Sequence, residues 1–284
     1  MRVFVAGATG VIGRRLVPIL RTAGHDVIGL ARSPKAGVAL ERLGVDVVHA
    51  DALDHAAMRR AVRIAAPNAV VHLLTRIPAK VDPKRMARDL RLRLRTEQAR
   101  VGDRGRSVLA PSPEQFAPVL AAIEDLERLT QEAGGLVLRL GHLYGPGTIY
   151  APDGAFVRLV RARKLPIVRQ GNGTFSFTHT DDAAGAIAAA LDSTAGGALN
   201  VVDDEPALVR EWLPVLARLL NAPQPFAVPE TLARLTIGSW GVAFMTRLRG
   251  ADNAAAKRVL GWHPKYPSWR QGFATELAES RSVV

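Results

Sequence analysis

Three glycines at a spacing of three, Gly7, Gly10 and Gly13, punctuate the opening run Val5-Ala6-Gly7-Ala8-Thr9-Gly10-Val11-Ile12-Gly13. Residues without a β-carbon, placed between an apolar run and a periodic one, let a phosphate approach the backbone. The helix that follows turns its unpaired N–H groups and positive dipole end toward that phosphate. The chemistry on offer is the holding of a diphosphate, and the cradle is expected from Gly7, Thr9, Gly10, Val11, Ile12 and Gly13. About twenty residues on, a fold preferring NAD carries Asp or Glu for the ribose hydroxyls; this chain has Ala31-Arg32-Ser33. A carboxylate would repel a 2′-phosphate, whereas Arg32 can pair with one through two parallel bonds, with Ser33 and Lys35 as supporting donors. The alternative is that Arg32 and Lys35 are solvated loop charges. The expected cofactor is a dinucleotide, NADP(H) in preference to NAD(H).

Groups able to move a proton are fewer. His142 and Tyr144 lie in Leu140-Gly141-His142-Leu143-Tyr144-Gly145, on the stretch leaving an apolar run. Histidine titrates near neutrality, so His142 can exchange a proton with a substrate oxygen, or hydrogen-bond cofactor or substrate without transfer. Ser112, between Pro111 and Pro113, reads as the cap of the next helix. His72 reads as a core histidine, and His179, Asp181 and Asp182 as residues that organise a loop and cap a helix. The absence of cysteine removes disulfides, thiolate nucleophiles and cysteine-ligated metal centres.

Positioning these groups requires a scaffold that gathers distant segments. Short β-rich runs at 3–6, 26–30, 45–49 and 69–74 alternate with helical stretches at 11–23, 35–43 and 56–65, the signature of βαβ units and a parallel sheet. Further helices are expected at 82–100, 117–133 and 155–163, from Asp182 to 191, and at 269–279, with strands at 107–110, 136–140 and 199–202. The fold class is therefore α/β: a Rossmann-type doubly wound parallel sheet with a small, mainly helical C-terminal substrate lobe. The sheet domain takes 1–144 and 178–202, and the lobe 145–177 and 203–284. Trp212, Trp240, Trp262 and Trp269 either line a pocket or fill the core.

Composition narrows the classes. Apolar residues make up 48% and charged residues 23%, which fits a folded globular chain rather than a disordered one. A net charge of +12 raises nucleic-acid binding. The basic stretch Arg85, Arg88, Arg91, Arg93 and Arg95 interleaves with Met86, Leu90, Leu92 and Leu94, however, which reads as a solvated helix with an apolar side. No nucleic-acid partner is expected. Met1-Arg2 runs straight into Val3-Phe4-Val5 without a leader pattern, and no apolar stretch approaches the roughly 20 residues of a membrane span. A cytoplasmic protein without a membrane partner is expected.

Several ordered motifs resemble the extended or atypical branch of the short-chain dehydrogenase/reductase superfamily, the group of NAD(P)-dependent epimerases, dehydratases and reductases. They are the glycine turn, Asp51-Ala52-Leu53-Asp54, Val70-Val71-His72-Leu73-Leu74, Leu138-Arg139-Leu140-Gly141-His142-Leu143-Tyr144-Gly145-Pro146-Gly147, and Phe177-Thr178-His179-Thr180-Asp181-Asp182. The resemblance implies that Asp51, Ala52 and Leu53 border the adenine, that Leu73, Leu74 and Thr75 line the dinucleotide, and that His142 to Tyr144 face nicotinamide and substrate. For Ser112 it implies, instead of a helix cap, the counterpart of the family's catalytic Ser or Thr. Pairing of the fourth and fifth helices in many such relatives makes a homodimer compatible with the sequence. One departure matters. Where the family carries Tyr and, four residues later, Lys, this chain reads Phe116-Ala117-Pro118-Val119-Leu120, and neither a phenyl ring nor an isobutyl group can relay a proton.

The leading expectation is an NADP(H)-binding oxidoreductase acting on a small, specialised metabolite without the usual proton relay. A non-redox isomerase, cyclase or dehydratase on the same fold is a second reading, favoured by the lost relay. A non-enzymatic redox sensor that reports cofactor occupancy is a third.

Overall fold

The computed structural model describes residues 1–74 and 117–279. Thr75, Ser112, Phe116, the helix expected at 82–100 and the strand expected at 107–110 lie outside them, as do the side chains of Leu120 and Trp240. The described chain forms two compact units.

The first unit holds the chain through residue 74 together with Thr180–Thr194 and Leu260–Trp262. Strands β1 (Arg2–Ala6), β2 (Asp26–Ala31), β3 (Asp46–His49) and β4 (Ala69–His72) form a sheet in the order β3-β2-β1-β4. Every pairing is parallel, with Val5 opposite Gly29 on one side and Val71 on the other. Val3, Phe4 and Val5 are wholly buried. Helices cover a parallel sheet on both faces, so its central strand is a continuous apolar run rather than an alternating one.

Helices α1 (Gly13–Thr22), α2 (Pro34–Glu41) and α3 (His55–Ala65) return the chain between these strands. Leu16, Val17 and Leu20 give α1 its buried face. Ser33 caps α2, and Asp54 caps α3 by accepting from the N–H groups of Ala56 and Ala57 at 2.9 and 3.0 Å. Helix α6 (Thr180–Leu191) packs on α1 through small residues, Ala183, Ala184 and Ala186, and the contact is pinned by Arg15 Nε on Asp181 Oδ1 at 2.6 Å. The expectation that Asp182 caps this helix is corrected: the helix starts at Thr180 and both Asp181 and Asp182 sit in its first turn, where carboxylates meet the positive dipole end.

In the second unit, β5 (Leu136–Leu140) follows α4 (Ala117–Glu132) and pairs in parallel with β10 (Gly197–Val201), Arg139 opposite Asn200. Strand β6 (His142–Tyr144) pairs in parallel with β9 (Phe177–His179). The rest is mainly helical: α5 (Ala155–Arg161), α7 (Val209–Leu219), α8 (Glu230–Arg247), α9 (Ala254–Leu260) and α10 (Trp269–Glu279). Two-residue strand pairs join them, β7 (Ile167–Val168) with β12 (Ala227–Val228) and β8 (Thr174–Phe175) with β11 (Ala207–Leu208). Two residues are too few to show an alternating pattern, so these strands escape a reading by periodicity.

The core of this unit is aromatic. Tyr144, Phe175, Phe177, Trp212, Trp269 and Phe273 are each at most 1% exposed. Trp212 and Trp269 are thus core, not pocket lining. No helix among the described residues is long and apolar enough to cross a membrane.

Candidate functional site

The glycine turn closes as its spacing demands. Gly7 has φ +102°, and a β-carbon there would lie 3.0 Å from Leu73; a β-carbon at Gly13 would run into the carbonyl oxygens of Gly7 and Ala8. Neither position admits a side chain. The Gly10 N–H donates to the Gly7 carbonyl at 2.9 Å, and Arg14 Nε donates to the Thr9 carbonyl at 2.8 Å. No side chain caps α1 at Ile12 and its first turn carries no acid, so the positive end of its dipole is unopposed by negative charge, although the Arg14 and Arg15 N–H groups already donate to the Gly10 and Ile12 carbonyls at 3.0 Å. A diphosphate fits this cradle.

The other expected dinucleotide residues follow the C-terminal ends of the same parallel strands, the edge where such sheets hold ligands. Arg32 is exposed just beyond β2 and forms no ion pair among the described residues. The Ser33 hydroxyl accepts from the Ala36 N–H at 3.3 Å, which leaves its proton to donate. Beyond β3, Asp51 Oδ1 accepts from the Leu53 N–H at 3.0 Å, and the turn presents exposed Ala52 and Leu53, the latter 69% exposed. Leu73 and Leu74 are half-buried beyond β4, and the Leu73 N–H donates to the Ala6 carbonyl at 2.8 Å.

In the second unit, His142 stacks on Phe175 with ring centroids 4.2 Å apart and meets Phe244 edge-on at 5.2 Å. Its Nδ1 lies 3.3 Å from the Ser176 carbonyl oxygen, which can only accept; Nδ1 therefore carries the proton and Nε2 is an acceptor. Burial pushes the imidazole pKa down to about 4, against a smaller upward pull from the Ser176 bond. The neutral-range titration expected of a histidine is displaced, and His142 is uncharged at pH 7.

Tyr144 points into the core. A β-carbon at Gly272 would collide with its hydroxyl, so the glycine is what admits the phenol. Beside it, His179 Nε2 pairs with Glu276 Oε1 at 2.9 Å. Of the proton-transfer candidates, His142 borders a pocket, whereas Tyr144 is buried in the core against Phe177, His179 and Phe273.

That pocket measures about 220 Å³. Leu140, Val202 and Leu248 give it an apolar wall, and His142, Asn200, Ser176 and Arg139 supply its polar atoms. The Ser176 hydroxyl is spent on Ala251, donating to its carbonyl at 2.9 Å and accepting from its N–H at 2.8 Å. Arg139 is tied to Glu127 by two bonds, 2.8 Å from Nε and 2.5 Å from Nη2, which hold the guanidinium protonated. Sequence reasoning missed Arg139 and Asn200. Their signal was a lone polar residue inside each of the apolar runs Leu136-Val137-Leu138-Arg139-Leu140 and Ala198-Leu199-Asn200-Val201-Val202.

A parallel α/β sheet bearing this glycine cradle defines an NAD(P)-binding protein of Rossmann type. The chain belongs to the NAD dependent epimerase/dehydratase family, whose model matches residues 3–92, within the reductases and epimerases of the short-chain dehydrogenase/reductase group. It is 42% identical to the 3-diazoavenalumate denitrifying reductase of a Streptomyces species, over 97% of this chain and 100% of that one. The UDP-glucose 4-epimerase of Thermus thermophilus, solved with NAD, shares the fold at a TM-score of 0.65 and 22% identity, each chain covered in full. A human epimerase family protein solved with NADPH shares it at a TM-score of 0.65 and 20% identity, also with full coverage of both.

Proposed function

We propose that this protein is an NADP(H)-dependent reductase of a small specialised metabolite, and that its reaction replaces a diazo group by hydrogen. The observation that carries the reading is its poverty in proton donors. Its three tyrosines, Tyr144, Tyr150 and Tyr266, are followed four residues later by Thr148, Gly154 and Arg270, none a lysine. His142, bordering the pocket, is neutral. Reduction of a carbonyl needs a proton for the new alkoxide; displacement of dinitrogen from a diazonium cation by hydride does not, because the proton was taken up when the diazonium form arose.

When bound, the dinucleotide would supply a hydride; a substrate in its diazonium form would take it on carbon, the pair of the broken C–N bond leaving on N2, so that cation and hydride balance without a further proton. The chain's residues hold and position. Gly7, Thr9, Gly10, Val11, Ile12 and Gly13 cradle the diphosphate, Arg32, Ser33 and Lys35 receive the 2′-phosphate, and Asp51, Ala52, Leu53, Leu73 and Leu74 border the dinucleotide. His142 contacts the substrate as a neutral group, and Phe175 and Phe244 keep its ring in place. The 42% identity to a reductase that denitrifies a diazo compound supports the same chemistry. Dependence on NADPH fits a cytoplasmic setting.

The test mixes purified protein with NADPH, deuterated at the transferable position, and 3-diazoavenalumate, the compound named for the Streptomyces relative. The expected outcome is one N2 released and one deuterium placed on carbon for each NADPH oxidised. Product without nicotinamide oxidation would replace this reading by a non-redox isomerase, cyclase or dehydratase. Tight NADPH binding with no turnover across a panel of diazo and carbonyl compounds would replace it by a sensor.

A further inference from the structure

The pocket described in the second unit is small for a nucleotide sugar. Solved neighbours of the chain include one with UDP-glucose and one with UDP-glucuronic acid. A pocket for a drug-sized ligand runs to roughly 300–1,000 Å³, whereas this one is about 220 Å³. A dry cavity of about 150 Å³ takes a benzene ring, so the space here suits one ring with short substituents.

Charge points the same way. Among the described lining residues Arg139 is the only charged one, and both its Nε and Nη2 are committed to Glu127. A diphosphate would find no unpaired cation there. What the lining does leave open is neutral. The Asn200 amide has no hydrogen-bond partner among the described residues, and His142 offers Nε2 as an acceptor because Nδ1–H is fixed on the Ser176 carbonyl. The carbonyl sets that tautomer, and the stack on Phe175 holds the plane of the ring. An uncharged acceptor and an amide lining the same largely apolar slot can together recognise a hydroxyl group on an otherwise apolar body.

From these observations we infer that this pocket binds a single hydroxylated aromatic ring, its O–H donated to His142 Nε2 and its oxygen accepting from the Asn200 amide, and that it excludes nucleotide sugars. Calling that ring the substrate rests on the reductase reading above; its binding does not.

The experiment is calorimetric titration of the full chain, saturated with NADP+ so that no turnover occurs, with 4-methylphenol, 4-methylanisole, benzoate and UDP-glucose. Saturable binding of one 4-methylphenol is expected. The other three should bind at least about tenfold more weakly, since each lacks the donor or brings a charge that the slot leaves unpaired. His142→Phe, which keeps the stack and loses the acceptor, and Asn200→Leu should each weaken 4-methylphenol by about tenfold and abolish its advantage over 4-methylanisole. If either variant fails to fold, the wild type still decides: the ¹⁵N resonance of His142 Nε2 moves on adding 4-methylphenol and stays put with 4-methylanisole. UDP-glucose binding more tightly than 4-methylphenol, or an unmoved Nε2 resonance, would overturn the inference. Loss of phenol binding with diazo reduction intact would sink the pocket assignment alone, and phenol binding without N2 release the reductase reading alone.

Discussion

Asp203 Oδ2 accepts the backbone N–H of Trp269 at 2.8 Å, so a carboxylate just beyond β10 caps the helix α10 more than sixty residues further along the chain. Burial drives its pKa up to about 7, and nearby Glu205 adds to the rise while the Trp269 bond opposes it. Folded protein therefore keeps this proton between about pH 4 and 7, where the unfolded chain has lost it. Stability from this group is fully present at low pH and falls as pH rises through that window.

Asp203→Asn keeps an acceptor for the cap and removes the titration. The difference in stability between wild type and variant should shift in the variant's favour as pH rises from about 4.5 to about 7.5, with a limiting slope of about 1.4 kcal/mol per pH unit. Urea denaturation at several pH values measures it. A difference that stays constant with pH would show that the carboxylate ionises as it does in water.

His142 works in the opposite sense. Its folded pKa, lowered to about 4, means that between about pH 6.5 and 4 the unfolded chain takes up a proton that the folded one refuses. Stability is complete above the ordinary histidine range and is lost as pH falls. An NMR titration should place the His142 midpoint near 4, and pH profiles of the reduction should lack a His142 inflection near 6.5. Replacement by Phe should remove the acid-side loss.

The contact between Tyr144 and Gly272 predicts an overpacking defect. Gly272→Ala puts a methyl group where the phenol oxygen stands and should cost about 1–3 kcal/mol of stability. Adding Tyr144→Phe should return part of that loss, and a double-mutant cycle by chemical denaturation reads the coupling. Strictly additive effects would mean the two residues do not touch.

The proposed preference for NADP(H) rests on Arg32. Arg32→Asp should raise the Kd for NADPH by about a hundredfold, roughly the worth of one bidentate charged pair replaced by repulsion. NADH should change only a few-fold. Fluorescence titration with both nucleotides decides it; equal losses would place Arg32 away from the 2′-phosphate.

The sequence by itself determined what depends on chain neighbours. The strand, turn and helix around the glycines at positions 7, 10 and 13 follow from local backbone freedom, and so does the aim of the first-turn N–H groups of α1. The βαβ order and the placing of Arg32 after β2 are legible for the same reason. The short strands of the second unit were not, because two residues carry no period.

Tertiary structure alone decided the chemistry of the remaining groups. His142 reads as a neutral-range acid or base until Phe175, Phe177 and Phe244 surround it, and Tyr144 as a reactive phenol until Gly272 admits it to the core. Arg139, which sequence reasoning passed over, is paired with Glu127 on the preceding helix. Backbone conformation is set within a few bonds, but burial and pairing are set by residues far apart in the chain, and the free energy of a charge depends on burial and pairing.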